Sequence, residues 1–259
     1  MKREIALFFT ALMFFTRLPC PHWIGHSAAM LDKSLKYFPL IGMLVAALAM
    51  AVFYLSQYIL PMPIAIILSM LTGILVTGAF HEDGLADVAD GFGGGWTKEK
   101  ILEIMKDSRI GTYGVVALVF ALLSKFWVLL ELANLSVHYF IASLILGHTL
   151  SRLNAATMIF VFEYARDDAT SKTKPLAKKM QWSTYLFALA TSFVPLIAMS
   201  CLWSGYLMLL PVLLVLLMLC LGRYFRKWIG GFTGDGLGTL QQLSEILIYI
   251  YLLALWKYI

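Results

Sequence analysis

The chain has 259 residues, of which 61% are hydrophobic and only 14% are charged. Soluble domains are nearer half apolar and a quarter charged, so this composition excludes an ordinary soluble enzyme. The net charge of +5 is explained by basic loops kept in the cytoplasm rather than by nucleic-acid binding. Residues 37–80 and 180–222 contain no Asp, Glu, Lys or Arg, and each stretch is long enough for two membrane spans. The composition therefore predicts a polytopic membrane protein.

The N-terminal apolar run extends from Ile5 to Thr16 after two basic residues. It lacks the small-x-small cleavage site of a signal peptide, so we expect it to be retained. Its 12 residues are too few to span a bilayer. We predict a re-entrant or interfacial helix that ends at 17–19.

The rest of the chain predicts an all-α helical bundle with about seven transmembrane helices in a single domain, 1–259. Prolines, Asn134 and a Ser-Gly pair separate neighbouring apolar segments into hairpins. The predicted spans lie at about residues 38–60, 63–80, 113–132, 137–161, 184–202, 205–222 and 243–259.

The distribution of basic residues predicts which side the loops occupy. Of the 20 Lys and Arg residues, 17 lie before residue 37 or in the segments 98–109, 166–179 and 223–227, whereas the tight turns near 61, 134 and 204 have none. By the positive-inside rule, we expect these four segments to face the cytoplasm and the C-terminus to lie outside.

The densest group of chemically active residues is the acidic run 81–91 at the end of the second predicted span. Asp83, Asp87 and Asp90 are spaced i, i+4, i+7, which places three carboxylates on one face of a helix. Such like charges repel one another unless a cation lies between them. A solvated acidic face would have the same spacing, but the position at a membrane boundary favours Mg²⁺ bound together with substrate phosphates.

The segment 103–114 follows with Lys106 and Arg109 on either side of Asp107. Basic side chains of this kind bind phosphate groups. A short amphipathic surface helix would have a similar composition. The acidic run that precedes the segment favours the interpretation that it binds phosphate.

Two basic residues, Lys125 and Arg152, lie inside predicted spans, where a charge is costly. They lie at equal predicted depth, about 16 Å from the cytoplasmic boundary. This placement predicts either one shared anion pocket or polar network, or a structural pair in which Glu131 and His148 are the candidate partners. The sequence alone leaves both interpretations open.

The last basic loop contains the glycine-rich segment 230–238, which includes Thr233 and Asp235. Glycines let backbone N–H groups come close to a phosphate or a ribose. The segment matches neither the P-loop nor the dinucleotide-binding fingerprint.

In these segments the chain resembles the cobalamin synthase family, the adenosylcobinamide-GDP ribazoletransferases. The resemblance covers nearly the whole chain, and the acidic run joined to the segment 103–114 is its most specific part. Glu82 and Ser151 stand where many family members have an apolar residue and Gly. The similar motifs lie at 17–19, 38–42, 81–91, 103–114, 164–166 and 230–238.

This resemblance implies the last step in assembly of the nucleotide loop of coenzyme B12. Adenosylcobinamide-GDP would react with α-ribazole or its 5′-phosphate, with Mg²⁺, to give adenosylcobalamin or its phosphate and GMP. The expected partners are these small molecules and membrane lipid, without nucleic acid. Homo-oligomerisation and association with other cobalamin-assembly enzymes stay open.

The predicted site combines the resemblance with the residue chemistry. Three aspartates are predicted to bind Mg²⁺, namely Asp83, Asp87 and Asp90. Four residues are predicted to be catalytic, namely His81, Glu82, Asp107 and Arg109, and any of the first three could accept the proton of the attacking hydroxyl. Six residues are predicted to bind substrate, namely Arg17, Lys106, Lys125, Arg152, Thr233 and Asp235.

Two alternatives come from other protein classes. Another metal-dependent membrane transferase for diphosphate-linked substrates, such as a CDP-alcohol phosphatidyltransferase or a prenyltransferase, also places spaced aspartates at helix ends. The CDP-alcohol enzymes, however, expect an Arg where this chain has Asp87. A transporter would use Lys125 and Arg152 but would also place acidic groups near the middle of the membrane.

Overall fold

The computed structural model describes residues 2–24, 27–165 and 180–258. The predicted cytoplasmic loop 166–179, including Arg166 of the motif at 164–166, lies outside these ranges. Within them the chain forms helices joined by short connections. The helices are α1 (Lys2–Phe15), α2 (Ala28–Ser34), α3 (Phe38–Gln57), α4 (Met62–Thr77), α5 (Phe80–Gly94), α6 (Lys98–Ile104), α7 (Thr112–Leu135), α8 (Val137–Val161), α9 (Trp182–Leu202), α10 (Leu210–Ile229) and α11 (Gly234–Tyr258), with short 3₁₀ helices at Leu35–Tyr37 and Gly205–Leu209.

The prediction of an all-α polytopic membrane bundle is confirmed. Among the described residues, six helical segments are long and apolar enough to cross a membrane, and the bent pair α4 and α5 brings the number to seven if it counts as one span. Large apolar side chains on the outer helices face away from the protein, including Phe120 on α7 and Val194 on α9. Such a surface suits contact with lipid rather than water.

The second predicted span differs from the expectation because the helix breaks at its end. α4 stops at Thr77, and α5 leaves at an angle of 85° to it. Gly78 and Ala79 have φ values of 67° and 57°, which lie in the left-handed region that glycine adopts readily and alanine only under strain. The acidic run therefore lies on a separate helix that runs across the bundle from the end of α4.

The last predicted span also begins earlier than expected, at Gly234 rather than near residue 243. Its first turns contain Gln241, Gln242 and Glu245, which lower the hydropathy. These side chains are nonetheless buried against the neighbouring helices. A prediction from hydropathy excludes such residues from a span, because hydropathy contains no information on their hydrogen-bond and ion-pair partners.

Glycines let the helices around the site come close together. A Cβ on Gly42 of α3 would overlap the backbone carbonyl of His148 on α8. A Cβ on Gly84 of α5 would lie 3.0 Å from the Cα of Asp235 on α11, and one on Gly238 would lie 3.1 Å from the carbonyl oxygen of His81. These contacts fix α5 between α11 and the rest of the bundle.

The N-terminal helix α1 has 14 residues, a length of about 21 Å, which is short for a bilayer core. The chain then turns, and the backbone N–H of Arg17 donates to the carbonyl of Val76, 2.7 Å away, near the end of α4. The N-terminal segment is therefore attached where α4 bends into α5. Its re-entrant or interfacial position in the membrane stays a prediction.

Candidate active site

The acidic run forms α5, and its position follows from the bend before it. Glu82 and Asp83 lie in the first turn, where negative charge interacts favourably with the helix dipole. Asp83 is exposed, whereas Asp87 and Asp90 are half-buried. The predicted helical arrangement of the three aspartates is thus present, but their surroundings differ.

Asp90 anchors the start of the next long helix. Its two carboxylate oxygens accept hydrogen bonds from the backbone N–H groups of Gly111 and Gly114, at 2.7 and 2.8 Å. These N–H groups belong to the first turn of α7, where no intrahelical acceptor exists. A Cβ at either glycine would overlap the carboxylate. The sequence analysis did not foresee this role, which ties the acidic motif to the segment 103–114.

The side chains of Asp83, Asp87 and Asp90 do not by themselves form a metal-binding group. Among the residues that the structure describes, no group of three or more His, Cys, Asp and Glu side chains is placed to hold an ion. Mg²⁺ often takes only one or two protein carboxylates together with substrate phosphates. Exposed Asp83 and half-buried Asp87, one helical turn apart, fit that mode, whereas the oxygens of Asp90 already accept backbone hydrogen bonds.

Substitutions at Asp90 separate a capping role from metal binding. Asn keeps one acceptor oxygen, although its NH₂ group cannot accept the second backbone hydrogen bond, so we expect Asp90→Asn to keep activity within about tenfold of the wild type. Asp90→Ala removes both acceptors, and we expect a loss of about 2 kcal/mol and a melting temperature about 4–8 °C lower. Thermal unfolding and activity at saturating Mg²⁺ test this pair. An inactive Asp90→Asn protein with an unchanged melting temperature would instead make Asp90 a metal ligand.

His81 and Glu82 face the interior of the bundle. His81 is buried, and its ring stacks on Phe38 at a centroid distance of 6.0 Å. Glu82 Oε1 accepts a hydrogen bond from Nε2 of Gln242, 3.0 Å away. His81 Nε2 and Glu82 Oε2 are buried without a hydrogen-bond partner in the described part of the chain.

Lys125 and Arg152 lie in one buried polar network, and its centre is Glu245 of α11. Lys125 Nζ lies 2.5 Å from Glu245 Oε2. His148 Nδ1 and Arg152 Nη1 lie 2.9 and 3.6 Å from Glu245 Oε1. Of the two readings left open by the sequence, a shared polar network is therefore present. The carboxylate partner of Lys125 is Glu245, and exposed Glu131 is not the partner, which corrects that part of the structural-pair reading.

The loop before α7 contains the exposed basic residues. Asp107 accepts hydrogen bonds from the backbone and guanidinium of Arg109, with the shortest at 2.7 Å. These hydrogen bonds lower the pKa of Asp107 to about 2. Such a carboxylate is a weak proton acceptor near neutral pH, so the geometry favours a role in orienting Arg109 over the predicted role as base. Arg109 and Lys106 both lie on the surface.

The glycine-rich segment forms the start of α11. The Thr233 hydroxyl accepts a hydrogen bond from the backbone N–H of Gly236, 3.1 Å away, which is the geometry of a helix cap. Asp235 is half-buried in the first turn, beside Gly84 of α5. The backbone N–H of Phe232 donates a hydrogen bond to the carbonyl of Glu163, and its carbonyl accepts one from the N–H of Ala165, on either side of Tyr164. Residues 164–165 and the glycine-rich segment 230–238 therefore meet next to the acidic helix.

Arg17 lies at the bend between α4 and α5. Its side chain is exposed and packs over Gly78, where a Cβ would overlap it. The structure thus brings Arg17, Asp83 and Asp235 to the first half of α5, and Asp87 lies one turn after Asp83. Lys125 and Arg152 lie deeper, on the interior side.

The sequence analysis missed the polar residues of α11. Gln241, Gln242 and Glu245 are each at most 3% exposed, and Tyr249 continues the same buried face one turn later. Their i, i+1, i+4 spacing inside an otherwise apolar segment was the available signal, because polar groups within a membrane span are costly and face other protein groups.

Comparison with known proteins shows the family to which the chain belongs. The family model for cobalamin-5-phosphate synthase matches residues 7–253. The chain belongs to the cobalamin-5-phosphate synthase family. A relative from Shewanella amazonensis is 48% identical over 99% of this chain and 98% of its own length. Relatives from Shewanella frigidimarina and Shewanella oneidensis are 48% and 46% identical, each over 97% of this chain and 95% of their own length.

All three relatives are named adenosylcobinamide-GDP ribazoletransferase. No solved structure matches the chain. The resemblance stated from the sequence motifs is thereby confirmed at the level of the cobalamin-5-phosphate synthase family.

Proposed function

We propose that this protein is an adenosylcobinamide-GDP ribazoletransferase that completes the nucleotide loop of adenosylcobalamin. The relatives with this name match the chain over nearly its whole length. The structural observation that carries the proposal is the pair of hydrogen bonds from Gly111 and Gly114 to Asp90. They hold the acidic face of α5 next to the loop that contains Lys106 and Arg109, which is the charge arrangement that a diphosphate substrate with a divalent cation requires.

The reaction exchanges a phosphoanhydride bond for a phosphate ester bond. A hydroxyl oxygen of α-ribazole, or of its 5′-phosphate, attacks the phosphorus next to cobinamide, and the bond from that phosphorus to the bridging oxygen breaks. GMP leaves with the bridging oxygen, and the proton of the hydroxyl passes to a base. Catalysis of such a transfer rests mainly on positioning and on stabilisation of negative charge.

Asp83 and Asp87 are the residues that we propose to hold Mg²⁺, in agreement with their exposure and spacing. The ion would supply positive charge to the phosphate oxygens. Arg109, oriented by Asp107, and Lys106 would bind phosphate oxygens from the adjacent loop. His81 and Glu82 stay the proposed bases, because the low pKa of Asp107 makes it a poor proton acceptor.

We also propose the side of the membrane on which the site lies. The basic segments before residue 37, at 98–109 and at 223–227 favour a cytoplasmic position for this end of the bundle in a bacterial inner membrane. Nucleotide substrates are present on that side.

The deciding experiment measures GMP formation by detergent-purified protein. We expect GMP and a cobalamin product in equal amounts when adenosylcobinamide-GDP, α-ribazole and Mg²⁺ are all present, and loss of both products with a chelator. α-Ribazole 5′-phosphate in a parallel reaction identifies the preferred acceptor. Asp87→Ala is the inactive control. GMP release without an acceptor, or no product from folded wild-type protein, would contradict the proposal.

A further inference from the structure

We propose that Lys125, Arg152 and Glu245 form a buried ion-pair cluster that positions the first turn of α5, and that the two basic residues do not bind substrate phosphate. The inference assigns Glu245, Gln242 and Phe38 as positioning residues. The expected change in Mg²⁺ requirement rests on the proposed function, whereas the expected changes in melting temperature and amide hydrogen exchange do not.

The first argument is that two carboxylates already balance the two basic residues. Lys125 approaches one of its oxygens at 2.5 Å, and Arg152, His148 and Gln241 surround the other, with Gln241 Nε2 at 2.5 Å. The Lys125, Arg152 and Glu245 side chains are each at most 7% exposed. Lys125 and Arg152 face two carboxylates, Glu245 and, on the α5 side, Glu82. The formal charges of these four side chains sum to zero without a substrate.

The second argument is that the cavity beside the cluster is small and suits water. The cavity between the cluster and α5 has a volume of about 40 Å³, which is enough for about three water molecules. Its lining includes three of the six described residues that have a buried side-chain atom without a hydrogen-bond partner, and these atoms are His81 Nε2, Glu82 Oε2 and Arg152 Nε. Bound water would satisfy these atoms, since buried polar groups normally have a partner.

The third argument is that two chains of contacts lead from the cluster to neighbouring residues of α5. In the first, Lys125 Nζ donates to Gln242 Oε1 at 2.6 Å. The amide nitrogen of Gln242 then donates to Glu82 Oε1 at 3.0 Å. Lys125 and Glu82 are therefore joined through one side chain of α11.

In the second chain, the Arg152 guanidinium lies 5.8 Å from the centre of the Phe38 ring. That ring stacks on His81. Gly42, one turn after Phe38, lets Arg152 lie against α3, because a Cβ there would come within 2.8 Å of Arg152 Cδ. The two chains end on His81 and Glu82, directly before Asp83.

A charge-neutral double substitution tests the cluster. Lys125→Met leaves the buried groups with one excess negative charge, and Glu245→Gln leaves one excess positive charge. Removing one member of a buried ion pair is strongly destabilising. We expect each single variant to melt about 10 °C lower and to need roughly tenfold more Mg²⁺ for half-maximal activity. We expect the double variant, which restores neutrality, to recover to within about threefold of wild type in Mg²⁺ requirement.

The alternative, in which Lys125 binds substrate phosphate, predicts a different result. If Lys125 bound phosphate, the double variant would show the same raised KM for adenosylcobinamide-GDP as Lys125→Met, and the inference would be overturned. Gln242→Leu breaks the first chain without leaving a net charge and serves as a second variant if Glu245→Gln does not fold. It is expected to raise the Mg²⁺ requirement, and an unchanged requirement would also overturn the inference.

Asn154 provides a matched control for loss of stability alone. Its buried amide donates to the carbonyl of Leu214 and the hydroxyl of Ser244, at 3.0 and 2.9 Å. It therefore links α8 to α10 and α11 without a contact to α5. Asn154→Leu is expected to lower the melting temperature but to leave the Mg²⁺ requirement unchanged. A raised requirement in this control would show that general destabilisation explains the effect and would contradict a specific positioning role.

Amide hydrogen exchange of the segment 80–94 keeps the test independent of the reaction. Glu245→Gln is expected to speed exchange in α5 at least fivefold relative to α9, and the double variant is expected to restore protection. Equal exchange in wild type and Glu245→Gln would overturn the inference. Inactive wild-type protein with the expected exchange pattern would contradict only the proposed function.

Discussion

Replacing Asp83 with Asn is expected to lower turnover by at least about a thousandfold, because one of the two proposed Mg²⁺ carboxylates loses its charge. Asp83 is exposed on α5, so the isosteric change should alter the free energy of unfolding by no more than about 0.5 kcal/mol. The measurement compares GMP formation across a range of Mg²⁺ concentrations with thermal unfolding of the same protein.

The matched control for Asp83→Asn is Glu99→Gln, which neutralises another exposed carboxylate in the first turn of a helix. This control should keep full activity. An Asp83→Asn protein with the Mg²⁺ dependence and turnover of the wild type would exclude Asp83 from the metal site.

Replacing Gly42 with Ala is expected to destabilise the protein by about 3 kcal/mol, although the change adds a single methyl group. The new Cβ would overlap the backbone carbonyl of His148, and backbone atoms of a packed helix cannot move aside separately. α3 and α8 must therefore separate. The melting temperature should fall by about 6–12 °C.

Gly205→Ala serves as the control for this substitution, since a Cβ at Gly205 would have no heavy atom within 4 Å. It should leave the melting temperature unchanged. Equal melting temperatures of Gly42→Ala and the wild type would show that the α3–α8 contact is looser than the structure indicates.

Much of the fold could be predicted because apolar segments and basic loops follow directly from the physics of the bilayer. The predicted span 137–161 agrees with the bounds of α8, Val137–Val161. The start of α11 was wrong by about nine residues, because Gln241, Gln242 and Glu245 look unsuitable for a span until their partners on other helices are known. The break after Thr77 was missed because Ala79 gives no sequence signal for a left-handed conformation.

The site was predictable where its chemistry is local in sequence. The spacing of Asp83 and Asp87 on one helix face followed from helical periodicity. The capping role of Asp90 and the pairing of Lys125 with Glu245 join residues 21 and 120 positions apart. A single sequence contains no information on such distances. Only the equal depth of Lys125 and Arg152 indicated that they share surroundings.

The bend between α4 and α5 also has a consequence for biosynthesis. Acidic residues placed within a membrane-crossing segment cost about 3 kcal/mol each during insertion. Because α4 ends at Thr77, the hairpin of α3 and α4 contains no acidic residue, and the first acidic residue that follows is Glu82. The hairpin can therefore enter the bilayer as an apolar unit, and α5 can dock afterwards onto α11, which is synthesised later. The catalytic surface would then be completed only after α11 has been synthesised.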